Sequence, residues 1–222
     1  MTVTTLGRST ATVVGLLLSD AFQAESLATW ILPDPDVRPV LLARLFALAA
    51  ARALAEGVVD VVDADDGPAG RIAGVALWFD RTVPPAPGPV RDPGSGTEAG
   101  ADEEPDPQVV EVLGPQAAAR WHAAMTAMAA RHPTRPHQYL ALIGVPRERQ
   151  GRGIGGHLLR HRLRALDTTL SGAYLEATST ASRGLYLGWG FHDLGRPLDL
   201  PDGGPRVWPM WRDPYPHGHP HP

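Results

Sequence analysis

Between residues 10 and 56 the apolar positions recur every three or four residues, the period of a helix with one buried face, and three helices are predicted there. The first runs from a Ser9 or Thr10 cap to about Phe22, and a short second one covers 27–32 before Pro33 stops it. Val40, Leu41, Leu45, Leu48 and Leu54 mark a longer, largely buried third helix over 37–56, with Gly57 as its stop signal. The period then shortens. Val58-Val-Asp-Val-Val62, the turn-rich Asp65-Asp-Gly-Pro-Ala-Gly70 and Ile72-Ala-Gly-Val-Ala-Leu-Trp-Phe79 predict a hairpin, and Val3-Thr-Thr-Leu6 a short edge strand. A helix over about 115–131 carries Trp121, Met125 and Met128 on one face, a stripe expected to pack in the core. Tyr139-Leu-Ala-Leu-Ile-Gly-Val145 is almost continuously apolar, which predicts a central strand covered on both sides. A helix over 153–166, a strand at Ala173-Tyr-Leu-Glu-Ala177, a short helix over 180–187 and a strand from Gly190 follow. A last strand over 206–211 would close the sheet, at an edge because Pro209 has no N–H to give a ladder. Helices first, then alternating strands and helices, predict a mixed α/β sheet in one domain.

Composition refines this picture. At 222 residues, 43% hydrophobic and 20% charged, the chain has the profile of an ordinary globular domain. Its 24 Gly and 23 Pro are unevenly spread, with eleven of them in 83–107 and twelve in 195–222. The segment of about 81–108 combines Pro84, Pro85, Pro87 and Pro89 with Glu98, Asp102, Glu103, Glu104 and Asp106, which predicts a mobile surface loop. The domain is expected to span 1–213, with the His/Pro-rich 214–222 as a flexible tail. The absence of cysteine excludes disulfides, thiolate zinc sites and an acyl-cysteine intermediate. A formal charge of -4 offers no overall attraction to nucleic acid or an anionic membrane, so neither is expected as a partner. No run approaches the roughly 18 to 20 apolar residues of a membrane span. Arg8 and the apolar 11–18 stretch imitate a leader, but Asp20 follows at once without a small-x-small cleavage site, and a cytoplasmic location is expected.

The chemistry concentrates in Val145-Pro-Arg-Glu-Arg-Gln150-Gly151-Arg152-Gly153-Ile154-Gly155-Gly156. Its glycines let backbone approach a ligand, and the helix that follows presents free N–H groups and the positive end of its dipole, together an anion site suited to a pyrophosphate. It is not a Walker A loop, for no Gly-Lys-Ser/Thr follows. Gly151-x-Gly153-x-x-Gly156 fits the dinucleotide-binding pattern, with Glu176 about twenty residues on. Against that reading, five residues including Pro146 separate strand from glycine, and only one strand–helix unit remains afterwards. Gln150-Gly-Arg-Gly153-Ile-Gly155 fits the Gln/Arg-x-x-Gly-x-Gly/Ala signature of coenzyme A binding, and Leu185-Tyr186-Leu-Gly-Trp-Gly190-Phe191 looks like a Tyr-x-x-x-Gly-Phe ending. With both motifs in this order the chain resembles the GNAT (Gcn5-related N-acetyltransferase) superfamily, closely over 138–193 and more loosely over its whole length. Within it the chain is most similar to the puromycin N-acetyltransferase group, through the strand up to Pro146, Tyr174-Leu-Glu-Ala-Thr178, Asp202-Gly-Gly-Pro-Arg-Val-Trp208 and Asp20-Ala-Phe22 ahead of Pro33-Asp-Pro-Asp36. It departs from that group at Ser182, where Asn is common, and in the acidic insertion and the tail.

The resemblance implies a single GNAT-type domain with a central mixed, mostly antiparallel sheet, splayed at the acetyl-CoA site and flanked by helices. Main-chain N–H groups of Gln150, Gly151, Arg152, Gly153, Ile154, Gly155 and Gly156 would hold the pyrophosphate. The edge of Ile143, Gly144 and Val145 would pair with pantetheine as an added strand, and an N–H near Val145 would polarise the acetyl carbonyl. Ser182 is expected beside the cofactor, and Tyr186 to protonate or orient the leaving thiol. Glu176 is the first candidate for the base that deprotonates the attacking ammonium, with His137 and Tyr139 after it. Glu176 could equally be a surface carboxylate and His137 a satisfied strand-end histidine. His157 and His161 read as a solvated helix face, and His217, His219 and His221 as part of the tail. The expected activity is acetyl transfer from acetyl-CoA to a primary amine of a small molecule, by direct attack in a ternary complex, in a monomer or homodimer. An antibiotic or aminonucleoside acceptor would make resistance the biological role. The alternatives are acetylation of a protein N-terminus or lysine, and a non-catalytic acyl-CoA-binding module.

Overall fold

A computed structural model describes residues 3–5, 10–64, 72–82 and 104–215. The turn expected at 65–70, most of the acidic insertion and the last seven residues lie outside the described residues. Strand β1 (Val3–Thr5) is followed by helices α1 (Ala11–Phe22), α2 (Ser26–Ile31) and α3 (Arg38–Glu56), then by strands β2 (Gly57–Asp63) and β3 (Ile72–Asp80). Helices α4 (Pro107–Leu113) and α5 (Pro115–Ala129) precede β4 (Gln138–Gly144), α6 (Ile154–Thr168), β5 (Ala173–Ala177) and α7 (Thr180–Gly188). Short strands β6 (His192–Asp193) and β7 (Leu198–Asp199) lead to β8 (Arg206–Arg212). Among the described residues no helix is long and apolar enough to cross a membrane.

The strands run in the order β1-β2-β3-β4-β5-β8-β6, with β7 also on β8. Every pairing is antiparallel except β4 with β5. That parallel pair holds for just two steps, Gln138 opposite Ala173 and Tyr139 opposite Tyr174. On its other side β4 stays paired with β3 as far as Gly144 opposite Val75. Trp78 faces Leu140 and Leu77 faces Leu142, so Ala141 is the extra residue of a bulge. A bulge bends and twists its strand, which accounts for β4 turning away from β5 beyond Tyr139. The sheet is therefore mixed, mostly antiparallel and splayed at its middle.

One face of the sheet, through Val59, Val61, Val75 and Leu77, packs under α1, α3 and α4. The other, through Ala76, Trp78, Leu140 and Leu175, packs under Leu158, Leu159 and Leu163 of α6 and Tyr186 of α7. The strand buried along nearly its whole length is β3. In β4, expected to be covered on both sides, Tyr139, Ala141, Leu142 and Ile143 are half-buried because a cleft opens over them.

Three further expectations are corrected. The expected loop gives way at Asp106, whose carboxylate accepts from the Gln108 N–H at 2.8 Å and starts α4, with Pro107 at the first position and Val109, Val112 and Leu113 buried. Pro209 does not confine β8 to an edge. Its carbonyl accepts from the Leu194 N–H at 2.7 Å, so its missing N–H lies on the β6 side, just beyond the end of that two-residue strand. The strand expected from Gly190 shrinks to β6.

Two ion pairs, each with one fully buried partner, tie α6 to the sheet. Arg162 forks onto Asp60 of β2, which has no solvent exposure, at 2.9 and 2.6 Å. Arg212 of β8 forks onto Asp167 at 2.8 and 2.9 Å.

Candidate active site

Where β4 and β5 diverge, a cleft of about 600 Å³ passes over the sheet. Its walls are Phe22 of α1, Leu45 and Phe46 of α3, Val109 of α4, Trp121, Met125 and Met128 of α5, and the strand from Tyr139 to Val145. Its far rim is Gln150, Thr178, Ser182 and Tyr186. The α5 stripe expected to pack in the core does so along one flank, yet the same three side chains also face this cleft. Periodicity marks the apolar face of a helix without telling packed neighbours from an apolar hollow.

The loop after β4 has the shape its glycines predict. Gly151 and Gly153 have φ of 74° and 78°, the left-handed region that favours glycine, and a Cβ on either would meet no atom within 4 Å. Conformation, not crowding, asks for glycine there. Gly153 caps α6 without a side-chain bond, and the first backbone bond of that helix is His157 N–H to Gly153 O at 2.9 Å. The amides of Ile154, Gly155 and Gly156 thus precede the helical ladder. The Gln150 side-chain amide donates to Val145 O at 3.1 Å and fixes the loop against the end of β4. Asp20 of α1 accepts from the Arg147 N–H at 2.9 Å, which closes the loop's other side. Arg152 is exposed and donates to Glu148 O. Gly144 faces α1, where a Cβ would stand 2.7 Å from Leu18 Cδ2.

Ser182 and Tyr186, one turn apart on α7, both reach the cleft. Ser182 is committed to a capping box: its N–H donates to Ser179 Oγ at 3.1 Å, and its Oγ accepts from the Ser179 N–H at 3.2 Å. Tyr186 is 7% exposed, and burial, with the Glu25 carboxylate beside it, holds its phenol well above the ordinary tyrosine range. Glu176 of β5 lines the cleft with a side chain 6% exposed. Burial, and next the Glu176 charge, also push the Tyr139 and Tyr174 phenols up.

No protein-family model matches the chain. Among solved structures it is similar to a Corynebacterium glutamicum protein described as histone acetyltransferase HPA2 and related acetyltransferase, with 27% identity over 96% of both chains and a TM-score of 0.68. It is similar to arylalkylamine N-acetyltransferase 2 of Aedes aegypti, with 13% identity over 96% of this chain and 98% of that one and a TM-score of 0.59. A Desulfovibrio desulfuricans protein described as a GNAT-family acetyltransferase matches with 14% identity over 96% and 98% and a TM-score of 0.51. The fold is that of the GNAT N-acetyltransferases.

Within this GNAT fold, His137 sits behind the cleft wall and not on it. It is 1% exposed, its Nδ1 lies 2.7 Å from Arg135 O and its Nε2 lies 3.0 Å from His132 Nε2, so both ring nitrogens are engaged. Sequence reasoning passed over that neighbour: His132 Nδ1 lies 3.8 Å from Glu176 Oε1. It also passed over Glu25, for a carboxylate between two short helices carries no motif. His157 and His161 stand on α6, and among the described residues no group of three His, Cys, Asp or Glu side chains could hold a metal ion.

Burial lowers the pKa of His137 below the ordinary 6.5, opposed in part by its bond to Arg135. Unfolded, this ring takes a proton near pH 6.5 and, folded, only at lower pH, so the unfolded chain binds more protons in that window. The contribution to stability is complete above about pH 6.5 and is lost as pH falls towards the folded value. Melting midpoints followed from about pH 5 to pH 7.5 are expected to rise towards neutrality, and His137→Gln to flatten that slope.

Proposed function

We propose that the chain transfers the acetyl group of acetyl-CoA to the primary amine of a small molecule, by direct attack with both substrates bound. The observation that carries this reading is the cleft itself, which runs from Val145 and Gln150, at the threshold of the glycine-rich turn into α6, to an apolar chamber walled by α1, α3 and α5 with Glu176 at its side. Its volume is in the range of small-molecule sites, and its apolar walls suit a compact amine better than an extended basic peptide. The residues present fit coenzyme A: a helix start without a side-chain cap, two glycines in the left-handed region, and a β4 edge released from β5 over 140–144. When bound, acetyl-CoA supplies an acyl group activated as a thioester.

In this reading the amides of 150–156 hold the diphosphate, Ile143 to Val145 offer a strand edge to pantetheine, and an N–H near Val145 donates to the acetyl oxygen. Glu176 accepts the proton of the ammonium. Tyr186, with a phenol held above its ordinary range, is a weaker acid than a thiol of about 8.5, so it donates a hydrogen bond to the leaving sulfur and keeps its proton. An antibiotic or aminonucleoside acceptor, of the kind the puromycin acetyltransferase group implies, and a cytoplasmic setting belong to the same proposal.

Transfer of labelled acetyl from acetyl-CoA tests it, with aminonucleosides and aryl amines set against histone-type peptides and protein N-termini. The peptides belong in the panel because the Corynebacterium glutamicum relative is described as a histone acetyltransferase. Label on small amines supports the reading; label on peptides alone replaces it, and bound coenzyme without any transfer makes the chain a binding module. Tyr186→Phe is expected to lower kcat by about 10²-fold, the scale of one lost donor to developing charge.

A further inference from the structure

We propose that His132 is a positioning residue for Glu176, accepting the proton that Glu176 receives and handing it to solvent, with its tautomer fixed by His137. The proposal rests on the reading of Glu176 as the base. The hydrogen-bond directions follow from one fixed point. The Arg135 carbonyl can only accept, so His137 Nδ1, 2.7 Å away, carries a hydrogen. With His137 neutral in its buried site, its Nε2 is an acceptor, and His132 Nε2 at 3.0 Å must donate to it. The neutral ring of His132 then presents a bare Nδ1 towards Glu176 Oε1 at 3.8 Å. Tyr139 and Tyr174 stand edge-on to His132 at 4.8 and 4.7 Å and hold its plane.

The exposures give the chain a direction. Glu176 lines the cleft, whereas the His132 side chain lies outside it and is 24% exposed. The proton balance closes in three steps. An N–H bond of the attacking ammonium breaks as an O–H bond forms on Glu176. That O–H breaks as Nδ1–H forms on His132, after the pair closes by about 1 Å to hydrogen-bond distance or a water spans the gap. The imidazolium then gives its Nδ1 hydrogen to a solvent water that enters beside the 24%-exposed ring, its Nε2–H still donated to His137, and both side chains return to their starting forms. The surrounding charges favour release: Arg131 beside Tyr174, Arg81 near His137 and Tyr139, and Arg135, which stacks 3.3 Å over Trp211 with Asp213 at 3.9 Å.

Two measurements decide it. His132→Gln is expected to lower kcat by about ten- to a hundredfold, short of the loss of the base itself, with KM for acetyl-CoA unchanged and the acid limb of the kcat–pH profile displaced. Partial recovery by added imidazole supports the relay. An unchanged kcat and pH profile in a variant that keeps its melting midpoint overturns it. Imidazole nitrogen NMR of the ligand-free protein is independent of turnover: His132 should carry its hydrogen on Nε2, and its titration should move to lower pH in Glu176→Gln. A neutral His132 protonated on Nδ1, or a titration indifferent to Glu176, overturns the proposal. Should the wild type acetylate no amine, the proposed function fails while this spectroscopic result still stands or falls alone.

Discussion

Exchanging Glu176 for Gln is expected to lower kcat by about 10²- to 10⁴-fold while leaving the affinity for coenzyme A within about a factor of two. The amide has the shape of the carboxylate, and the backbone pairing of β5 with β8 at Glu176 opposite Pro209 does not involve the side chain, so the strand pairing around it should survive. What it loses is the capacity to take a proton. The coenzyme would be held elsewhere, at the mouth of α6 and along the freed edge of β4, about which the substitution changes nothing. Steady-state kinetics with a responsive amine, beside calorimetry with coenzyme A, separate the two effects. A kcat within threefold of wild type would mean that the amine arrives already neutral or that another group accepts its proton. An equal loss of coenzyme affinity would mean that Glu176 shapes the cleft and performs no proton transfer.

How much of this was legible beforehand depends on how local the signal is. The turn at 150–156 could be read because its requirement is local: positive φ at Gly151 and Gly153, followed by a helix start, leaves a pattern in adjacent letters. Tyr186 was legible for a similar reason, lying in a short motif that ends at Phe191. The opening between β4 and β5 came from the resemblance; its visible cause, the extra residue Ala141, depends on a register with β3 that no single strand shows. Helix α4 was hidden by composition, since an acidic, proline-rich stretch masks seven helical residues, although Asp106 and Pro107 were both start signals. His132 was beyond reach. It follows α5 in a turn, and only the parallel register of Tyr139 with Tyr174 brings it, with its near neighbour His137, to Glu176. Pro209 misled because its effect depends on where another strand ends.

The largest expected loss of stability lies away from the cleft, at Asp167. Both oxygens of this carboxylate are taken by Arg212, and Oδ1 also accepts from the Tyr215 N–H at 2.9 Å. Arg212 is fully buried, and its Nε donates to Trp189 O at 3.1 Å, at the end of the helix that carries Tyr186. Asp167→Ala would leave a guanidinium in the interior with its main counter-charge gone, at a cost of about 3 to 5 kcal/mol. At roughly 2 to 4 °C per kcal/mol for a chain of this size, the melting midpoint should fall by about 6 to 20 °C. Replacing both partners with apolar side chains, as in Asp167→Leu with Arg212→Met, should recover most of that loss, because desolvation of two charges offsets much of what their attraction contributes. Denaturant titration of the two single variants and the double one forms the deciding cycle. A single-variant loss below about 1 kcal/mol would show that water reaches this pair. By contrast Arg206 and Asp199 make a similar fork in full solvent, with side chains 55% and 67% exposed, and Arg206→Ala should leave the melting midpoint almost unmoved. The two forks differ in burial far more than in geometry, and the cost of breaking each should follow burial.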